Sequence, residues 1–357
     1  MPKLNTIKEQ ILSLQNSEGP SFEFDKLSLG ADIEKFDNEH SSLMLKIITI
    51  LGAFIGSSFM LSFVFALKLF QEPVSMIILG FGLIVTAIAL SNTSKLLIFE
   101  TSFIAFLIYG GILLGIGLHD YKLNASLNCL CFFLIGLLIF QFSKNEIQIL
   151  LGVIASLVSI FWAIHFQKLF WLYHVYNILL TFGLLNVYLK EAQLITNPYF
   201  AKRYNALKNG LIIIFLMSMA RVSIKDLNNH EIPYNWISAI GPILAVIYIL
   251  GIVLDKFAIQ NKSTKLLIQC ITVLTLVLTI VFPAISASIV IILLCFLVNY
   301  KTGFIIGALS LCYFICQFYY DLSFSLLVKS ELLFVSGLLF AAVYFFSSKK
   351  LVENEKI

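Results

Sequence analysis

Apolar runs of about twenty residues, separated by short polar breaks, recur along the chain from Leu43 to Phe346. At 1.5 Å rise per residue, each run is long enough to cross the hydrocarbon core of a bilayer as a helix. That ruler places twelve expected spans, at roughly 45–69, 74–91, 96–117, 125–142, 147–166, 170–189, 207–223, 236–254, 265–282, 284–299, 303–320 and 325–346. The breaks carry turn chemistry, as in Gln71-Glu72-Pro73, Asn92-Thr93-Ser94-Lys95, His119-Asp120-Tyr121-Lys122, Ser143-Lys144-Asn145-Glu146 and Lys301-Thr302-Gly303. Only helices satisfy the backbone in lipid at these lengths, so the expected fold is an all-α polytopic membrane helix bundle of about 12 transmembrane helices. Residues 265–299 are apolar for 35 residues, with Pro283 as the sole punctuation. A tight hairpin near Pro283–Ser286 gives twelve spans; a single long kinked helix gives eleven.

The polar head is different in kind. In residues 4–14, Leu4, Ile7, Ile11 and Leu14 fall at helical spacing with Lys8, Glu9 and Gln10 on other faces. A short amphipathic helix or a partly ordered tail both fit, followed by a polar linker over 16–40. The first sixteen residues lack the apolar core of a signal peptide, so the first apolar run is expected to remain as an anchor. The organisation expected is a cytoplasmic segment over 1–44, a bundle over 45–346 and a tail over 347–357.

Composition sharpens this picture. Of 357 residues 59% are hydrophobic and 12% charged, against about 25% charged in a soluble domain, and the mean hydropathy is +0.94. Such a chain would leave far too much apolar surface in water, which excludes soluble enzymes and nucleic-acid-binding modules. The net charge of +4 hides an asymmetry: residues 1–44 hold eight acids against four lysines, and the rest of the chain is basic. With twelve spans and a cytoplasmic N-terminus, 18 basic residues fall inside and 6 outside, including Lys68, Lys122, Lys168, Arg221, Lys225 and Lys329 outside. Eleven spans would weaken that bias, so the positive-inside rule favours twelve spans with both termini cytoplasmic. The expected location is the cell (inner) membrane.

Candidate chemistry is sparse. His230-Glu231 begins like HExxH, but Tyr234 stands at the last position, and nucleotide-binding and serine-hydrolase patterns are missing. Catalytic, cofactor and metal sites are therefore not expected, nor is enzyme activity. The six cysteines, Cys129, Cys131, Cys270, Cys295, Cys312 and Cys316, lie in apolar runs and read as small buried apolar residues. Gly52/Gly56, Gly111/Gly115 and Gly303/Gly307 each make GxxxG, read as helix packing. Ionisable residues in spans are costly, so they are the functional candidates. These are Glu100, one turn inside the third span, and Asp321, Lys329 and Glu331 at the last. Asp321, Ser325 and Lys329 share a face at i, i+4 and i+8, whereas Lys329 and Glu331 are poorly placed to pair. His174 completes the set: with Asn177 and Thr181 it forms a stripe at i, i+3 and i+7. Around it Trp162, Trp171, Tyr173 and Tyr176 read as an interfacial anchoring belt. Lys68 and Arg221 lie near span ends and read as snorkelling residues.

The stretch from Phe318 to Leu333 (FYYDLSFSLLVKSELL) resembles the end of a family of bacterial multispanning proteins known as DUF4401. The resemblance rests on Tyr319, Tyr320, Ser325, Leu326, Leu327, Lys329 and Ser330, with Lys349 and Lys350 in the tail. The layout of LMLKIITILGAFIG in the first span also looks like this family and the related DUF2157 proteins. Glu331 is not part of the pattern. The resemblance implies a bacterial cell-membrane protein without an assigned activity. The leading expectation is an interaction or scaffold component, whose partners are the lipid bilayer and another membrane protein, with no nucleic acid. The alternative is a secondary transporter or translocator of a small or lipid-linked substrate.

Overall fold

A computed structural model describes residues 72–92, 97–224, 232–256 and 262–321, with scattered helical residues between 48 and 62 and between 327 and 341. The N-terminal segment, the tail, Ser325 and Lys329 lie outside the described residues. Among these residues the fold is entirely helical. The helices are α1 (Pro73–Ser91), α2 (Leu97–Asp120), α3 (Ala125–Phe142), α4 (Glu146–Phe166), α5 (Leu172–Leu189), the short α6 (Glu191–Thr196) and α7 (Pro198–Ala201), α8 (Tyr204–Ser223), α9 (Trp236–Lys256), α10 (Lys262–Val277), α11 (Pro283–Leu297) and α12 (Lys301–Asp321). Eight of the described helices are long and apolar enough to cross a membrane: α1, α2, α3, α4, α5, α8, α9 and α12. α10 and α11 are apolar but shorter. The first and last expected spans fall largely outside the described residues.

Local chemistry sets the boundaries. Pro73 opens α1 at its first turn, where a missing N–H costs nothing. Asn145 caps α4, its Oδ1 accepting from the backbone N–H groups of Ile147 and Gln148. Three links are tight and alike. Lys122, Lys168 and Asn299 have φ of 57°, 55° and 57°. In each, the next residue's N–H reaches five residues back, as from Tyr300 to the Cys295 carbonyl at 2.8 Å. This left-handed cap satisfies the last carbonyls of α2, α4 and α11 and turns the chain sharply.

The break near Pro283 is real and reverses the chain. α10 starts beside Asp255, which accepts from Lys265 Nζ at 2.6 Å. A 3₁₀ turn (Leu278–Val281) follows and ends beside Trp236, at the far end of α9. Pro283 then opens α11, the N–H of Ala284 donates to Ser223 Oγ at 3.0 Å, and α11 returns to Tyr188 and Tyr300. A single kinked helix is thus excluded. α10 and α11 do not pack along their lengths; α11 packs on α8, α9 and α12.

The helices assemble in two manners. α1 pairs closely with α2, and α3 with α4, with few contacts joining the first pair to the second. α8 is the hub of the remainder, packed by α4, α5 and α11, and it is the most buried of the eight long helices. Loop contacts gather Lys144, Lys190, Lys202, Arg203, Lys256, Lys265 and Lys301 at one end of the bundle. Lys122, Lys168 and Arg221 lie towards the other.

The close pairs rest on glycine, but mostly not on the expected ones. A Cβ on Gly80 would meet the Gly110 carbonyl at 2.8 Å, and one on Gly136 would meet that of Gly152 at 2.6 Å. Gly303 and Gly307 do pack tightly, against Cys295 and Ile292. In contrast, Gly52, Gly56 and Gly111 have nothing within 4 Å, and Gly115 would meet only Phe132, at 3.5 Å. Spacing on one helix does not say whether a backbone faces it. The cysteines also divide: Cys129 and Cys295 are buried, but Cys270, Cys312 and Cys316 are exposed, as apolar residues facing lipid would be.

Candidate functional site

The stripe of α5 turns inward. His174 and Asn177 meet Ser218 of α8 and Ser238 of α9, and all four are buried. His174 Nε2 lies 2.9 Å from the Pro233 carbonyl, which can only accept. That nitrogen therefore carries the proton, and the neutral ring offers Nδ1 as an acceptor. Ser238 Oγ lies 2.7 Å from Nδ1 and donates to it; Asn177 Nδ2 donates to Ser238 Oγ at 3.3 Å. Ser218 Oγ in turn donates to Asn177 Oδ1. Every donor points the same way along this chain, from α8 through α5 to α9 and the loop before it. Thr181 Oγ1 donates to the Asn177 carbonyl at 2.8 Å, closing a turn of α5. In a low-dielectric interior such a network is strong when complete.

The aromatics around the stripe are split. Trp162 and Trp171 are exposed, as an interfacial belt requires, but Tyr173 and Tyr176 are buried core residues. Their hydroxyls donate to the carbonyls of Phe161 and Leu157 on α4. The reading of Tyr173 and Tyr176 as belt residues is therefore corrected: a tyrosine in a bundle core finds a carbonyl on the next helix instead of water.

The other candidates do not join His174. Glu100 lies in the first turn of α2, on an element remote from α5. Asp321 ends α12, where Oδ1 accepts from Gln317 Nε2 at 2.9 Å on the same helix and Oδ2 is buried without a partner. Glu331 is an exposed helical residue. Lys329 lies outside the described residues, so its face with Asp321 is not described. Among the described residues no site collects them.

Three basic residues of α7 to α8 matter more than their sequence context suggests. Arg203 donates from Nε to the Phe140 carbonyl at 2.9 Å and from Nη2 to that of Gln141 at 2.8 Å. It lies over the Tyr199 ring, 4.0 Å from the centroid. Placed on the open carbonyls of α3, a cation satisfies orphan acceptors and complements the helix dipole. Lys208 is buried at 5% exposure, its Nζ 3.7 Å from the centroid of Tyr300 and 4.9 Å from that of Tyr204. Tyr300 donates to Asn209 Oδ1 at 2.9 Å, which fixes the ring that faces the ammonium. By sequence Lys208 falls at the very start of the span expected at 207–223 and counts among the cytoplasmic basic residues, whereas α8 begins at Tyr204 and carries it a full turn inside the helix. Arg221 is largely buried, and its Nη1 has no hydrogen-bond partner. It is not the freely hydrated snorkelling residue expected from its place near a span end.

A family model described as "Domain of unknown function (DUF4401)" matches residues 42–350. The chain therefore belongs to that family, in agreement with the motif around Tyr319 to Ser330. No curated protein matches it.

Proposed function

We propose that this DUF4401 protein is a non-enzymatic interaction or scaffold component of the bacterial cell membrane, with twelve spans and both termini cytoplasmic. The sorting of basic residues to one end of the bundle supports the orientation, since that end would face the cytoplasm. The twelve-span reading adds the runs at 45–69 and 325–346 to the ten apolar helices already described. The interaction reading is carried by one observation: Gly110 is locked against Gly80, while its neighbour Gly111 has nothing within 4 Å. Ile112 and Ile116 beside it are exposed. In lipid, association gains from close backbone approach at small residues, so an open glycine leaves room for a partner helix. The rival translocator reading has no shared site to support it among the described residues, because Glu100, His174 and Asp321 stand on elements that do not pack closely on one another.

Photo-crosslinking in native membranes tests this reading. A benzoylphenylalanine at Ile112 is expected to give a discrete protein adduct that Gly111→Leu removes without loss of folded protein. The same probe at Leu179, exposed on α5, serves as the lipid-facing control. Lipid adducts alone at both positions would overturn the interaction reading.

A further inference from the structure

The first apolar run meets α2 at mid-height. Ser58 Oγ is hydrogen-bonded to the Tyr109 hydroxyl, and Tyr109 stands midway along α2. After Ser58 the chain goes on to Pro73, where α1 starts. α1 ends at Asn92, which bonds the Phe142 carbonyl and the Lys144 N–H, so Pro73 lies at the opposite end of the bundle from Lys144. The residues before Ser58 therefore lead towards the Lys144 end. A helix continued back from Ser58 covers the distance to residue 45 in about 20 Å, the level at which α2 begins. The acidic head, residues 1–44, thus joins the bundle at the end where the basic residues gather.

That end carries unanswered charge. Lys144, Lys190, Lys202, Lys256 and Lys301 are exposed, and none forms an ion pair among the described residues. Three of the five frame one surface. The short helices α6 and α7 run between Lys190 and Lys202, and Arg203 Nη2, donating to the Ser143 carbonyl at 3.4 Å, brings α7 beside Lys144. Within this basic frame Ile195 is exposed, and Leu194 and Phe200 are half-buried. The surface is apolar at its centre and positive at its rim.

We propose that the head of this same chain docks on the α6–α7 surface. Its charge has the matching sign, eight acids against four lysines. Its apolar stripe, Leu4, Ile7, Ile11 and Leu14, matches the apolar centre, and Glu9 and Glu18 flank that stripe within reach of the lysine rim. The tether is long enough. The thirty residues from 15 to 44 span about 30 Å as a coil, and α8 lies two helix-to-helix steps from α2, about 20 Å. Attachment through such a tether holds the head at an effective concentration of about 1 mM, so weak contacts suffice. Docking requires that the first run cross the membrane, as the twelve-span reading has it. It does not depend on which compartment this end faces, nor on the open face of α2.

Zero-length carbodiimide crosslinking of the full chain in phosphatidylcholine nanodiscs tests the docking, because it joins a carboxylate to an amine only at ion-pair distance. Asp255 and Lys265, paired at 2.6 Å, are the internal control. Head carboxylates are expected to link to Lys144, Lys190 or Lys202, with a yield about fivefold lower at high salt. Ile195→Asn, on an exposed position that takes no part in the coupling chemistry, is expected to lower the yield about fivefold as well. A control link without any head link would overturn the proposal, as would a yield unchanged in Ile195→Asn. Mixed isotope-labelled and unlabelled chains separate the sources: links between chains would assign the surface to a second copy and refute docking within one chain. Head links that vanish in phosphatidylglycerol nanodiscs would assign the lysines to anionic lipid and refute it too. An impermeant maleimide on Ser17→Cys and on Lys202→Cys checks the shared end separately. Labelling from opposite sides of sealed vesicles would overturn both the docking and the twelve-span reading, whereas labelling from one side with no head link would overturn the docking alone.

Discussion

The α1–α2 and α3–α4 pairs and the α5–α8–α9 core solve the same problem by different means. Lipid offers no hydrophobic force to bring helices together, because the surroundings are as apolar as the side chains. The first two pairs respond with backbone proximity: Gly80 faces Gly110, and Gly136 faces Gly152. The core responds with side-chain hydrogen bonds, running from Ser218 through Asn177 and Ser238 to His174. Backbone contact gains dispersion along the crossing and tolerates no Cβ. The polar chain gains specificity, because each helix supplies a group that only its neighbours complete.

The contrast makes unequal demands on substitution. Gly136→Leu should have the largest effect, about 3 kcal/mol or more, because its Cβ would meet the Gly152 carbonyl and the Ser156 nitrogen within 2.7 Å. Yield and thermal unfolding in detergent measure it, with Gly111→Leu expected within about 0.5 kcal/mol of the wild type. Equal effects at the two glycines would erase the distinction between locked and open faces. Asn177→Leu should cost less, about 1 kcal/mol, since membrane hydrogen bonds are individually modest and two serines lose a partner. A double-mutant cycle with Ser238→Ala should show coupling between them; strict additivity would mean that the chain is not a unit. The smallest effect is expected at Lys168→Gly. Relief of a left-handed backbone should stabilise by about 0.5 kcal/mol, net of the greater freedom of glycine in the unfolded chain. Destabilisation there would show that the lysine side chain matters more than its φ.

Much of this was legible in the sequence, for identifiable reasons. The span expected at 125–142 coincides with α3, because Asn124 and Ser143 bracket an uninterrupted apolar run. The reversal at Pro283 was legible because proline suits the first turn of a helix and little else in a span. The spacing of His174, Asn177 and Thr181 gave a common face. Nothing in α5 alone could say that Ser218 and Ser238, 41 and 61 residues from Asn177, complete it. The glycine contacts were hidden for the same reason. Gly80 and Gly136 have no glycine four residues away, and their partners lie on the next helix. Arg203, Lys208 and Arg221 were counted correctly for charge, but a tally by sign does not register which of them the fold encloses.

The central place of α8 has a consequence for how the chain is made. Its neighbours α4 and α5 precede it in synthesis, but α11, whose Ala284 meets Ser223, is encoded some sixty residues later. When α8 leaves the translocon, the face that α11 will occupy has no protein against it. Lys208 is then without Tyr300, and Ser223 without Ala284. The nascent bundle must therefore hold α8 half-housed, beside lipid or the insertion machinery, until the hairpin at Pro283 has emerged.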